Sequence, residues 1–121
     1  MAQVRVIFTV PDKASEKLFR DIPTEDRPRY LAYVEWFSPF SRQPHSDHGM
    51  YPVSRSYAHG SPDDRLCSVV DIRRLVRSAH LLPRFGSVAP REWNSANVLE
   101  TSPSFWFNTF SDLDMYQHFL L

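Results

Sequence analysis

His45 and His48, with Asp47 between them (HSDH), are the first residues that suggest chemistry. A protein zinc site takes three or four ligands, and this stretch supplies at most three, with His59 available from the next loop. Solvated loop histidines account for the pattern better, so no metal and no other cofactor is expected. Cys67 is the only cysteine and forms no internal disulfide, which fits a reducing compartment. No histidine or asparagine motif accompanies it, so a small buried filler is expected there rather than a nucleophile. His80 lies in an apolar run and is expected in the core or at an interface. No nucleophile-elbow, phosphate-loop or His-Glu-x-x-His pattern is present, and no enzyme is expected.

The charge pattern favours a different chemistry, the recognition of anions. Six arginines lie from Arg65 to Arg91 (Arg65, Arg73, Arg74, Arg77, Arg84 and Arg91) against one acid, Asp71. After Arg91 there is no Lys or Arg, while Glu92, Glu100, Asp112 and Asp114 follow. Arginine suits phosphate or carboxylate through its forked donors. A contact with nucleic acid or an acidic partner is therefore expected through Arg73, Arg74, Arg77 and Arg84, with Arg55 and Arg91 beside them. The formal net charge is zero, which argues against a strongly basic nucleic-acid binder. Weak, non-specific affinity is expected, roughly 10⁻⁴ to 10⁻⁶ M at physiological salt. Glu35 stands in an apolar run, and facing inward it needs a cation, for which an arginine of the central stretch is the candidate. Tyr33, Trp36, Phe37, Tyr51 and Tyr57 offer either an aromatic cage for a methylated lysine or an arginine, or ordinary core packing.

The elements that position these residues are mostly strands. Residues 3–10 alternate, with Val4, Val6, Phe8 and Val10 on one face, and Pro11 ends the run. The strand starts so near the first residue that an excised piece of something longer is expected. A short helix is expected over 12–22, capped by Asp12 and burying Leu18 and Phe19. Residues 30–37 (YLAYVEWF) form a strand whose two faces both look apolar, which places it centrally in a sheet. Residues 50–57 alternate again, and Pro52 makes that strand an edge or a bulge. Residues 58–64 are a turn.

The stretch 68–86 (SVVDIRRLVRSAHLLPRFG) supports two structures. Ile72, Leu75, Val76 and Ala79 follow helical spacing, which would gather Arg73, Arg74 and Arg77 on one side. The alternative is a strand over 66–70, a tight turn at 71–73 and a strand over 75–82, which alternates the arginines between faces. The β-branched residues and the need of neighbouring strands for partners favour the second. Residues 86–103 are irregular, pinned by Trp93, Val98 and Leu99. Residues 104–108 are a last strand, and 112–121 carry helical spacing behind a cap at Ser111 or Asp112. The expected core is Val6, Phe8, Val34, Trp36, Val70, Leu75 and Phe107.

At 121 residues, with 42% hydrophobic content, the chain is expected to be a single β-rich domain, 1–121, with a real core. The start lacks the long apolar stretch of a signal peptide and no run approaches membrane-spanning length, so an intracellular protein with no membrane partner is expected. The fold class expected is mainly β: a small curved sheet or partly open barrel of five or six strands with one or two short helices.

In order, VRVIFTV, LAYVEWFSPF, HGMYPVSRS, SVVDIRRLVRSAHLLPRFG, EWNSANVLE and SFWFNTFSDLDMYQHF run through nearly the whole chain. This series resembles the C-terminal segment of large transposases of basidiomycete fungi, the Plavaka and Kyakuja-Dileera-Zisupton-like elements. The matching pieces are A-Y-V-E-W-F at 32–37, M-Y-x-V-x-R at 50–55, the I-x-R-x-x-H-L-x-P-x-F-G run at 75–86, where Leu75 takes the first place, and F-x-x-N-x-F-S-D at 105–112. The chain departs at Asn108-Thr109-Phe110, where the family pattern has Asn-Pro-Phe, and the departure falls on a corner. The family's catalytic acids belong to an upstream nuclease domain, so the resemblance implies a transposon-derived accessory domain, with nuclear location as a corollary. The strand order also looks like the bromo-adjacent-homology plan, a Src-homology-3-like barrel of chromatin proteins. Two functional classes follow as expectations. One is a module that binds nucleic acid, chromatin or a protein partner. The other is a structural, self-associating domain in which the arginine stretch meets the acidic end of the same or another copy.

Overall fold

Alternation in YLAYVEW gives the strand on which the first sheet is built, and in the computed structural model, which describes residues 1–110, it spans Tyr30–Trp36. In chain order the strands are β1 (Ala2–Thr9), β2 (Tyr30–Trp36), β3 (Tyr51–Ser54), β4 (Cys67–Asp71), β5 (Leu81–Pro83) and β6 (Ser104–Phe107). Two short helices, α1 (Asp12–Leu18) and α2 (Val98–Thr101), and three single 3₁₀ turns accompany them. The protein is mainly β, as its alternating segments imply. The six described strands divide into two antiparallel three-stranded sheets, ordered β1-β2-β4 and β3-β6-β5, and do not close into a barrel. The helical spacing at 112–121 lies outside the described residues.

The chain separates into two compact units. One contains Ala2–Trp36 and Tyr57–Arg77, and the other contains Met1, Phe37–Ser56 and the chain from Ser78. In the first, β2 is the central strand, as its apolar character requires. Val4 faces Val34, but the register then shifts, and Val6 faces Tyr33 and Phe8 faces Leu31. Arg5 is the extra residue of this bulge. Residues directly opposite in an antiparallel pair share a face, so the bulge moves Val6 and Phe8 from the Val34 face to the Tyr33 face. Ala32 and Val34 are buried. Trp36, on their face, is half-buried and donates its indole Nε1–H to Ser68 Oγ at 2.9 Å. Val6 and Phe8 are exposed rather than core, because β1 is an edge strand and its alternation is broken at Arg5. Leu75 is exposed too, Val70 is half-buried, and of the expected core only Val34 and Phe107 are buried.

The helix α1 stops at Leu18, short of Ile22. Its N-cap is Pro11 rather than Asp12, no side chain caps it, and Leu18 is exposed. The central stretch adopts the two-strand form. A 3₁₀ turn over Ile72–Arg74 ends β4, because Asp71 accepts from the Arg73 backbone N–H and fixes the turn. The second strand begins only at Leu81, leaving 75–80 irregular.

In the second unit β6 is central and β3, with Pro52, is an edge strand that has no need of a proline N–H. Alternation in SFWF sends Phe105 and Phe107 into a core with Val53 and Phe37, against which Met1, Tyr51, Leu81 and Leu99 pack. Phe37 and Phe105 meet edge to face at 5.9 Å between ring centroids. Trp106, between the two phenylalanines, points to the opposite face, where Pro52 and Leu82 are its cross-strand neighbours.

Candidate functional site

The arginines divide into structural and exposed sets. Arg55 follows Tyr51 and Val53 on the core side of β3, and its side chain is only 2% exposed. Its guanidinium donates to the Leu99 carbonyl at 2.8 Å, approaches Glu100 at 4.0 Å and lies 4.8 Å from the centre of the Phe37 ring. Expected as a surface contact, Arg55 is instead a buried tie between β3 and α2. Alternation carries it inward with its strand.

Arg65 is structural as well. It donates to Glu35 Oε2 at 2.8 Å, and Arg5 approaches the other carboxylate oxygen at 3.6 Å. The buried glutamate of the central strand thus has the arginine partner its position demands, drawn from the central stretch. Beside it Cys67, directly across from Glu35, is exposed rather than a buried filler, because β4 is an edge strand. Proximity of the Cys67 side chain, through hydrogen bonding first and then through the negative charge a Cys67 thiolate would add, pushes the Tyr33 phenol above its ordinary value of 10.0.

Arg73, Arg74, Arg77, Arg84 and Arg91 are all exposed, and no acid interrupts the sequence from Ile72 to Arg91. Arg73 grips Asp71, its Nε at 2.9 Å and its Nη2 at 2.6 Å from Oδ2, and also reaches the Asp26 carbonyl. These bonds hold the Asp71 carboxyl below its usual 3.8. Arg74 flanks this pair on the 3₁₀ turn, and Arg77 lies in the irregular segment that follows. Arg73, Arg74 and Arg77 belong to the first unit, and Arg84 and Arg91 to the second.

A second constellation, in the second unit, is absent from the sequence reading. Arg84 follows β5, pairs its backbone N–H with the Ser104 carbonyl, and lays its guanidinium over the Trp106 ring at 4.2 Å. From the loop before β3, His48 meets the same indole edge to face at 4.4 Å. His45 stacks on His48 at 4.2 Å with 8° between the planes. The loop is closed by Gly49 N–H to the His45 carbonyl at 2.8 Å and His45 N–H to the Met50 carbonyl at 2.9 Å, with Gly49 at φ 73°. His45 Nδ1 accepts from the Asp47 N–H and His48 Nδ1 from the Met50 N–H, both at 3.2 Å. In the neutral rings these bonds leave the proton on Nε2. The two are loop histidines, as expected, His45 exposed and His48 half-buried, and each ring is also held by a backbone N–H of its own loop. His59 belongs to the other unit, where it takes φ 52° in the 58–60 turn. Among the described residues no three of His, Cys, Asp and Glu lie together as metal ligands.

His80 is exposed rather than core, with its Nδ1 3.1 Å from the Asn108 side-chain amide and its carbonyl accepting from the Asn108 N–H. The aromatic set suggested for a cage is divided, Tyr33, Trp36 and Tyr57 lying in one unit and Phe37 and Tyr51 in the other. No described helix is long and apolar enough to cross a membrane. Compared with protein-family models, with curated proteins and with solved structures, the chain matches none.

Proposed function

We propose that this chain is a non-catalytic interaction domain that engages an anionic polymer, nucleic acid, through the exposed arginines Arg73, Arg74, Arg77, Arg84 and Arg91. The observation that carries this reading is the concentration of exposed guanidinium groups over 73–91, of which Arg73 also holds Asp71, while Arg55 and Arg65 are committed to internal contacts. Arginine recognises phosphate by charge and by parallel N–H donors, and the released counterions supply much of the affinity. The zero formal net charge keeps that affinity modest. The transposase resemblance is part of the same proposal: a nuclear, transposon-derived accessory domain would contact nucleic acid without cutting it. Titration with duplex and single-stranded DNA at two salt concentrations tests it, wild type against Arg74→Ala/Arg77→Ala. Binding that weakens with salt and with the double variant supports the reading. Absence of binding at low salt sinks it.

A second reading, self-association, is favoured by β1. It is an edge strand of eight residues with Val4, Val6, Ile7 and Phe8 exposed and Arg5 its only charge. Such edges pair readily with another strand. A monomer at all concentrations in sedimentation velocity eliminates this reading.

A further inference from the structure

We infer that the outer face of the β3-β6-β5 sheet is a stacking platform for unpaired bases, so that the nucleic acid this domain prefers is single-stranded. The inference rests on the anionic-polymer reading above and adds the form of the ligand. Its basis is the Arg84–Trp106–His48–His45 constellation, which lies within one unit and uses none of the arginines of the other.

Three features distinguish this patch from a random aromatic surface. First, the rings are held in place. The His45 and His48 imidazoles are nearly parallel at 4.2 Å, a stacking separation, and each is anchored by a backbone N–H on Nδ1. Trp106 braces both from the side, at 4.4 Å and 5.3 Å. Second, the exposed member is at the end of the stack. His45 is exposed and His48 half-buried, and among the described residues the rings that meet His45 are His48 and Trp106, so one flat face of His45 is turned away from the pair. A base laid on that face continues the stack. Third, a cation is fixed on the same indole. Arg84 over Trp106 is ordered by the ring and keeps its donors for an incoming phosphate. The loop 38–49 and strands β3, β5 and β6 contain one acid, Asp47, and one arginine, Arg42, with Arg84 directly after β5.

Planar rings in series beside an ordered guanidinium match an extended strand, in which each base offers a π face and each nucleotide a phosphate. A duplex hides those faces in its own stack and gains only the charge contacts. An acidic polypeptide offers carboxylates but no series of planar rings.

The test uses fluorescence anisotropy of oligo(dT), of a duplex of the same length and of poly-glutamate as competitor, at low and at physiological salt. Wild type, His45→Ala, His45→Phe and Arg74→Ala/Arg77→Ala are compared, with circular dichroism confirming the fold of each. The strand is expected to bind more tightly than the duplex. His45→Ala is expected to weaken strand binding about tenfold, the effect of losing one base–aromatic stack, and to leave duplex binding unchanged. His45→Phe should restore it, since a flat ring is what the base uses. Equal binding of strand and duplex, equal loss of both in His45→Ala, no rescue by phenylalanine, or equal competition by poly-glutamate overturns the platform. In the first three cases the anionic-polymer reading stands if salt and Arg74→Ala/Arg77→Ala still weaken binding. No binding of either nucleic acid at low salt overturns both.

Discussion

Replacing Glu35 by glutamine tests whether the first sheet is held by its buried ion pair. The glutamate lies on the central strand with its side chain 12% exposed, and Arg65, 27% exposed, donates to it at 2.8 Å. Removing one partner of a fully buried pair costs about 3–5 kcal/mol, while an exposed pair contributes about 0–1 kcal/mol. The observed exposures fall between these limits but nearer burial, so Glu35→Gln should cost about 2 kcal/mol, roughly 8 °C in Tm for a chain of this size. Arg65→Ala should cost a similar amount, because it strands a buried carboxylate. Arg5 is a control from the same site. At 3.6 Å and 37% exposed it should contribute only about 0.5 kcal/mol. Urea unfolding of Glu35→Gln, Arg65→Ala and the double variant closes a cycle, and a coupling of about 1–2 kcal/mol is expected. Additivity within about 0.3 kcal/mol would refute the reasoning. So would an Arg5→Ala variant less stable than Arg65→Ala, since Arg5 is the more distant and the more exposed of the two.

Phe105→Ala, at a site 1% exposed, should destabilise by about 3–5 kcal/mol, whereas Val6→Ala, at a site 53% exposed, should fall within about 0.5 kcal/mol of wild type. Urea denaturation decides, and comparable losses at the two sites would mean that the bulge at Arg5 is misplaced. Asp71 should titrate below 3.8 by NMR, and Arg73→Ala should move the midpoint upward, while retaining the backbone donor. Because the folded value is depressed, the stability linked to Asp71 is present above the unfolded value near 3.8 and is lost as pH falls through the lower folded one. A midpoint that does not move in the variant would show that the side-chain bonds to Arg73 do not set it.

How far the sequence discloses this architecture depends on what alternation can say. It says which residues share a face, and it does so correctly for Tyr51, Val53 and Arg55. It does not say which face is covered. Arg55 reads as a surface cation by type, yet its strand companions commit it to the core, where a carbonyl, a carboxylate and a ring compensate its charge. Glu35 illustrates the favourable case, because a carboxylate in an apolar central strand has a demand that only a nearby cation satisfies, and the central stretch supplies Arg65. Arg5 illustrates the opposite, since nothing in VRVIFTV marks one residue as extra. The bulge follows from pairing with β2, and that single insertion exchanges the faces of Val6 and Phe8. Trp106 was within reach of the sequence. In SFWF the two phenylalanines flanking it share a face, so a tryptophan between them must face away. What sequence could not supply is its company, because His45, His48 and Arg84 reach the indole from a loop and a strand end far from it along the chain. The arginines divide along the same line. Arg55 and Arg65 are held by partners inside the fold, and Arg73, Arg74, Arg77, Arg84 and Arg91, on turns and irregular backbone, are exposed, so backbone geometry, more than charge density, decides which cations reach the surface.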